Sequence, residues 1–212
     1  MELLDVLGCD GKRTGERIDR DDAHRNGVWH GAFHALIVYE RNGRGCALFQ
    51  KRSHEKLIAP DRYDVSVGGH YAAGEGPGAA GPREIREELG LEVSIDELVP
   101  LGKRLFVYCF TPGIREQEFQ DVFLLRRDVR AAELALQAGE VDAVLELEIE
   151  RGIELHAGRK SMIGGTLCLP GGEPQAVTVT ARDFVPCHDN YFLKLLLLAK
   201  RYLAGEREGL VI

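Results

Sequence analysis

Three things are scarce in this chain of 212 residues: basic charge, long apolar runs and paired cysteines. Lysine and arginine number 27 against 34 acidic residues, for a formal net charge of −7. That balance argues against a nucleic-acid polymer as main partner, because such binders carry a basic patch. It leaves room for a phosphorylated small molecule when metal ions mediate. The longest strongly apolar stretch near the C-terminus, Tyr191 to Ala199, is broken by Lys194 and too short to span a bilayer, so no membrane partner is expected. Met1 to Asp10 lacks a basic segment followed by an apolar core, and no secretory signal is visible. Cys9, Cys46, Cys109, Cys168 and Cys187 are odd in number and form no CxxC pair, which predicts reduced thiols and a cytoplasmic location. No repeat, low-complexity tract or linker is visible, so a single domain over 1–212 is expected.

What is present alternates between strand and helix signals. Residues 1–8 read as a short strand ending in the turn Cys9-Asp10-Gly11-Lys12, and Asp19 to Asn26 as a polar loop or helical turn. Trp29 to Tyr39 and Cys46 to Arg52 form a hairpin closed by Asn42-Gly43. Tyr63–Val67, Glu92–Ile95, Leu101–Thr111 and Phe119–Arg126 are rich in β-branched and aromatic residues and predict strands, with Pro112-Gly113 turning the last two. Arg130 to Ala138 predicts a short helix, Val141 to Ile149 a strand with one wet face, and Glu150 to Ala157 a helical turn. Ser161 to Gly172 is glycine-rich and unreadable, and Thr178 to Phe184 is a short strand or lead-in. Asp189 to Ala204 places Phe192, Leu195, Leu196, Ala199 and Leu203 at helical spacing, with Asp189 as cap and Gly205 as stop. By periodicity alone the class is α/β or α+β.

The richest chemistry lies in Arg83-Glu84-Ile85-Arg86-Glu87-Glu88-Leu89-Gly90-Leu91. On a helix, Glu84, Glu87 and Glu88 stand at i, i+3 and i+4, where side chains are neighbours. Carboxylates packed so closely repel one another unless a cation sits between them, and hard oxygen ligands suit Mg²⁺ or Mn²⁺. Taken alone the spacing suits an ordinary solvated acidic face. Pro82, with Gly78 and Gly81 before it, predicts a helix that starts near Pro82 rather than Pro77, or bends there.

The wider pattern changes the weighing. Gly69, Glu75, Arg83, Glu84, Ile85, Glu87, Glu88, Gly90 and Leu91 occupy every fixed place of the Nudix box, over residues 69–91. The chain therefore resembles a Nudix hydrolase, a resemblance covering roughly residues 1 to 204. It implies an α/β/α sandwich with a mixed sheet, a small-molecule diphosphate substrate, and hydrolysis by water attack at phosphorus. It implies Glu84 and Glu88 as metal ligands, Glu87 as a third ligand or holder of water, and the Gly69 carbonyl as a further donor. Arg83 and Glu75 would brace the loop as a guanidinium fork on a carboxylate. Cations would reverse the sign of the acidic site, clamp the diphosphate and activate water.

Trp29-His30, Gln50-Lys51-Arg52-Ser53, Lys56 and Asp64 are similar to one branch, the relatives of isopentenyl-diphosphate isomerase. That resemblance implies a second metal site on His24, His30, His70, Glu116 and Glu118, although the His24–His30 interval is one residue shorter than in the isomerase. Against it stands ordinary packing of histidines in a strand and a loop. The other histidines, His34, His54, His156 and His188, are assigned to packing or surface. The isomerase carries a cysteine just before its Gly-His pair; here that position is Gly68, which has no proton to give. Lys51, Arg52 and Lys56 suit a grip on phosphate, and Glu87, Glu118 or Glu140 could supply the general base.

Three functions follow: a Mg²⁺- or Mn²⁺-dependent hydrolase of a nucleoside diphosphate derivative or other organic diphosphate; an isomerase of isoprenoid diphosphates; and a diphosphate sensor without turnover. The intact carboxylate set and Gly68 favour the first. A homodimer could form through the C-terminal helix or an edge strand.

Overall fold

The computed structural model describes residues 2–212, apart from the Ala132 side chain; Met1, placed above in the first strand, lies outside the described residues. The chain runs β1 (Leu3–Leu7), β2 (Arg13–Asp19), α1 (Arg20–Asn26), β3 (His30–Arg41), β4 (Arg44–Arg52), β5 (Tyr63–Asp64), β6 (Val67–His70), α2 (Pro77–Leu89), β7 (Leu98–Thr111), β8 (Ile114–Arg126), β9 (Val141–Glu148), α3 (Ile149–His156), β10 (Ile163–Cys168), β11 (Gln175–Val179) and α4 (Tyr191–Leu203). β1 and β2 make a separate hairpin, and the remaining strands form one sheet in the order β11-β10-β9-β4-β3-β8-β7, with β5 on β4 and β6 on β3. All pairs are antiparallel except β3–β8.

Strand alternation sorts β3 into two faces. Leu36 and Val38 join Leu195, Leu196 and Ala199 of α4 and Ile153 of α3 in one core. Phe33, Ala35 and Ile37 join Ile85 and Leu89 of α2 in the other. Helices thus cover both faces of a mixed sheet. Ile85 and Leu89 are essentially inaccessible, and each such side chain contributes about 1.5–3 kcal/mol of apolar transfer free energy. Among the described residues no helix is long and apolar enough to cross a membrane.

The feature that makes a site is a fork. β3 pairs with β4 only from Ile37 to Arg41; nearer its start, Ala32 to Ala35 pair with β6 instead. β4, for its part, leaves to pair with β5 at Gln50 and Lys51. Ser66 fills the crotch: its hydroxyl accepts from Ile37 N at 2.7 Å and donates to Leu48 O at 2.5 Å.

Several expectations need correction. Arg13–Asp19, left unassigned above, is a strand, and of the two readings of Asp19 to Asn26 the helical one holds, as Arg20–Asn26 is a helix capped by the Asp19 carboxylate. Tyr63–Val67 is not one strand but the crossing between β5 and β6. Glu92 to Ser94 is irregular, and only a 3₁₀ turn, Ala131–Glu133, forms where a helix was expected over 130–138. The unreadable glycine-rich stretch contains β10, and the capping position of α4 is Asn190, because Asp189 is drawn to Arg104 instead.

Candidate active site

α2 starts at Pro77, the first helical position, where the missing N–H costs nothing. Pro82 therefore sits inside the helix, so of the two expectations, a start near Pro82 or a bend there, the first is corrected. Gly81 is there for space: a Cβ would stand 2.6 Å from the Phe33 ring. Gly90 ends the helix at φ +71°, its N–H donating to Arg86 O at 2.9 Å.

β6 feeds both sides of the sheet by alternation. Gly69 pairs with Phe33 and faces α2, whereas Gly68 and His70 pair with His34 and Ala32 and face the opposite side. The Glu84 carboxyl lies against Gly69 so closely that a Cβ there would be 2.1 Å from its carboxyl carbon. Glu88 accepts from Gln50 Nε2 at 3.2 Å and from Gly68 N at 3.4 Å. Arg83 donates to Glu75 at 2.7 and 3.1 Å, and to Glu84 at 2.8 Å and Glu87 at 3.1 Å. One guanidinium thus braces the loop and also touches two of the three acidic side chains. It does not neutralise them all. Burial pushes Glu84 up to about 7 against the pull of Arg83, and burial with Glu84 nearby pushes Glu88 up to about 8. Two buried carboxyls that resist ionisation, one of them packed against Gly69, are a donor set suited to a hard divalent cation.

On the other face, strand register assembles a second cluster. Parallel pairing sets His30 of β3 beside Glu118 of β8, and period two puts Glu116 on the same face as Glu118. β6 adds His70 and α1 adds His24. The three imidazole centroids lie 5.2–5.3 Å apart. His30 Nε2 is 3.4 Å and His70 Nε2 3.2 Å from Glu118 Oε1, and His24 Nε2 is 3.4 Å from Glu116 Oε1. His30 Nδ1 faces the Val28 carbonyl at 2.8 Å, so it carries a proton and leaves Nε2 for the cluster. Among the described residues His24 Nε2, His30 Nε2 and Glu116 Oε1 are buried without hydrogen-bond partners.

Ligand atoms from His24, His30, His70 and Glu116 all fall within 4.8 Å of one another. A divalent ion with bonds of about 2.0–2.3 Å sets neighbouring ligands roughly 3 Å apart, close to the 3.2–3.4 Å nitrogen–oxygen separations and shorter than the widest spacing in the group. Electrostatics agrees. Burial, then the neighbouring His70 and His30, hold His24 down at about 3. Burial and Glu118 push Glu116 well up. Burial opposes ionisation of Glu118 too, but its contacts with His30 and His70 outweigh that and hold it well below the carboxylate range.

The cluster opens into a cavity lined also by His34, Arg52, Lys56, Asp64, Gly68, Gly69, Arg104 and Gln120. The box carboxylates do not line it; they lie against the Gly68–Gly69 segment, which does. Arg104 is buried, donates to both oxygens of Asp189 at 2.8 and 2.9 Å and to Gln120 at 2.8 Å, and lies 3.8 Å over the Tyr191 ring. Gln120 Nε2 in turn donates to Glu118 at 2.5 Å.

The basic grip on phosphate is reduced by what the structure shows. Lys51 does not line the cavity and pairs with Asp61 at 3.5 Å. Arg52 lines it but spends Nε and Nη2 on the Ile58 carbonyl at 3.1 and 2.9 Å, holding the 53–61 loop. Lys56 is paired with Glu140, and burial lowers its ammonium to about 8. Of the general-base candidates, Glu118 is tied into the cluster and Glu140 to Lys56, whereas Glu87 keeps solvent access. Sequence reasoning missed Arg104, Gln120 and His34. A buried arginine flanked by alternating aromatics on β7 was the available signal.

A sequence profile of the NUDIX domain matches residues 28–163. An uncharacterised Nudix hydrolase of Clostridium acetobutylicum is 30% identical over 149 residues, 70% of this chain and 71% of that protein. A crystal structure from Deinococcus radiodurans superposes with a TM-score of 0.55 at 26% identity, covering 74% of this chain and 90% of that one. More distantly, an isopentenyl-diphosphate Delta-isomerase of Serratia proteamaculans is 26% identical over 124 residues, 58% of this chain and 65% of that protein.

Proposed function

The chain belongs to the Nudix family and is a hydrolase of pyrophosphate-containing substrates; from that premise we propose a single domain that uses Mg²⁺ or Mn²⁺ to cleave the diphosphate linkage of a nucleoside diphosphate derivative or another organic diphosphate. One observation carries this reading: Glu84 and Glu88 are buried together behind Gly69, with burial raising both towards neutrality. Such a pair is costly unless a cation or a proton compensates it.

Glu84, Glu88 and the Gly69 carbonyl would hold one cation, with Glu87 at its exposed edge. His24, His30, His70, Glu116 and Glu118 would hold a second. Bound cations supply charge neutralisation of the diphosphate and activation of water. The residues of the chain do the rest. Arg83 fixes Glu75 and Glu84 so that the loop before α2 cannot drift. Arg104, through Gln120, orients Glu118. Glu87 takes the proton of the attacking water as the new oxygen–phosphorus bond forms and the bridging oxygen–phosphorus bond breaks, the leaving phosphate keeping the electron pair.

A screen of nucleoside diphosphate sugars, dinucleoside polyphosphates, coenzyme A and isoprenoid diphosphates, with and without Mg²⁺ and Mn²⁺, tests the reading. Metal-dependent release of a phosphate product from one class is expected, and turnover unaffected by a chelator would reject it. The histidine–glutamate cluster also suits the isomerase reading, but Gly68 offers no proton. Formation of dimethylallyl diphosphate without phosphate release would reverse the order of the two.

A further inference from the structure

His34, set aside above as packing, has features that packing does not explain. It lies on β3 four residues after His30, is 93% buried by its 7% exposure, and lines the cavity. Its Nδ1 is 3.1 Å from the hydroxyl of Tyr191. That hydroxyl is wholly buried, and burial pushes its titration far upward, so the phenol keeps its proton. A buried hydroxyl proton needs an acceptor, and among the described residues His34 Nδ1 is the only partner of this one. Nδ1 therefore presents its lone pair, and the ring proton resides on Nε2. Burial also lowers the affinity of the ring for a second proton, keeping it neutral.

The tautomer is held from behind. Arg104 stacks 3.8 Å over the Tyr191 ring and is itself clamped by Asp189. The same guanidinium orients Glu118 through Gln120, so one buried arginine supports both the cluster and the His34–Tyr191 pair. Nε2 itself has no hydrogen-bond partner among the described residues. It sits beside Gly68, 3.4 Å from where a side chain there would begin. A neighbour with no side chain leaves room beside this nitrogen on a residue that lines the cavity, next to the segment whose other side carries Glu84 and Glu88.

We propose that His34 is a substrate-binding residue: its Nε2–H, fixed by Tyr191, donates a hydrogen bond to a non-bridging phosphate oxygen of the diphosphate. The proposal rests on the diphosphate reading of the cavity. A neutral donor at this place suits a phosphoryl oxygen because it adds no charge to compete with the cations, and the bond strengthens as negative charge gathers on that oxygen.

The experiment uses the full chain with methylenediphosphonate, an uncleavable diphosphate, in the presence of Mg²⁺. Nitrogen NMR of ¹⁵N-histidine-labelled protein should show His34 as the Nε2–H tautomer, and its Nε2 signal should move on adding the probe. Calorimetry should show binding weakened about tenfold or more in His34→Asn, whose amide oxygen still accepts from Tyr191 but offers no donor at the Nε2 position. His34→Gln, which returns an N–H to that position, should recover affinity to within about threefold of wild type. Tyr191→Phe should give a mixed tautomer and an intermediate loss. An Nδ1–H tautomer, or wild-type affinity in His34→Asn, overturns the proposal alone. Equal losses in Asn and Gln variants that track a fall in melting temperature reduce His34 to a structural role and also overturn it. No binding of the probe by wild-type protein rejects the diphosphate reading, and the proposal with it.

Discussion

The box helix and the histidine cluster are both acidic, both buried and both suited to a cation, yet the chain builds them in opposite ways. Glu84, Glu87 and Glu88 come from one turn of α2, so their proximity follows from local spacing. The cluster draws on four separate elements, α1, β3, β6 and β8, and exists only because the parallel β3–β8 register places His30 opposite Glu118. A site made by one helix survives modest shifts of the sheet. A site made by register does not, since a one-residue slip turns every side chain to the other face. The difference also runs to accessories: Arg83 serves the first region from within its own helix, whereas Arg104 serves the second from β7 through Gln120.

Mutations can break or sharpen this contrast. The largest effect is expected from Glu88→Gln, which should lower kcat/KM for diphosphate hydrolysis by about 100-fold or more while the fold persists. Activity near wild type in that variant would falsify the assignment of the box. Next, Glu118→Gln should weaken Mn²⁺ binding at one of two calorimetric sites by about 10–100-fold and leave the other intact. A loss at both sites would mean that the two regions are not separate. Smaller again is Gln120→Leu, which keeps every ligand but frees Glu118 from Arg104; about a tenfold loss of Mn²⁺ affinity is expected at that same site, and no change would remove Arg104 from the cluster.

His156 supplies the control outside both regions. Its Nε2 is buried and, among the described residues, unpaired like those of His24 and His30, but its ring is walled by Phe184 and Phe192 with centroids at 4.7 and 5.3 Å. Burial lowers it from 6.5 to about 4. The unfolded chain therefore binds the proton first, so this stability is complete above pH 6.5 and is lost as pH falls towards 4. The loss should reach about 2 kcal/mol at pH 5, and less if water enters the aromatic pocket. Urea melts of His156→Phe against wild type at pH 7.5 and pH 5 measure it. An acid sensitivity equal in both proteins would show that His156 is not its source, and Mn²⁺ should not alter it.

How much of this the sequence reveals follows the same division. The Asn42-Gly43 hairpin, the β7–β8 ribbon, α4 and the acidic helix all announce themselves by spacing within a few residues. β2 does not, because its residues are polar and mostly exposed and show no alternation. β10 is hidden by Gly164 and Gly165, yet Gly165 is demanded by packing, since a Cβ would stand 2.6 Å from Leu147. The Arg130–Ala138 helix fails despite its alanines: Ala131 and Leu134 are pulled into the core under α2, and Ala135 packs against Gly90. Tertiary contact overrides propensity there. The cluster was reached only through resemblance, and His34 not at all, because its partner Tyr191 lies 157 residues away.

The fork closed by Ser66 has a last consequence. A continuous sheet is a barrier, and groups on its two faces do not meet. By parting two central strands and bridging them with a single hydroxyl, the chain admits β6 beside β3, where Gly68 and Gly69 place no side chain on either face. There the histidine cluster on one face and the acidic helix on the other are separated by backbone alone.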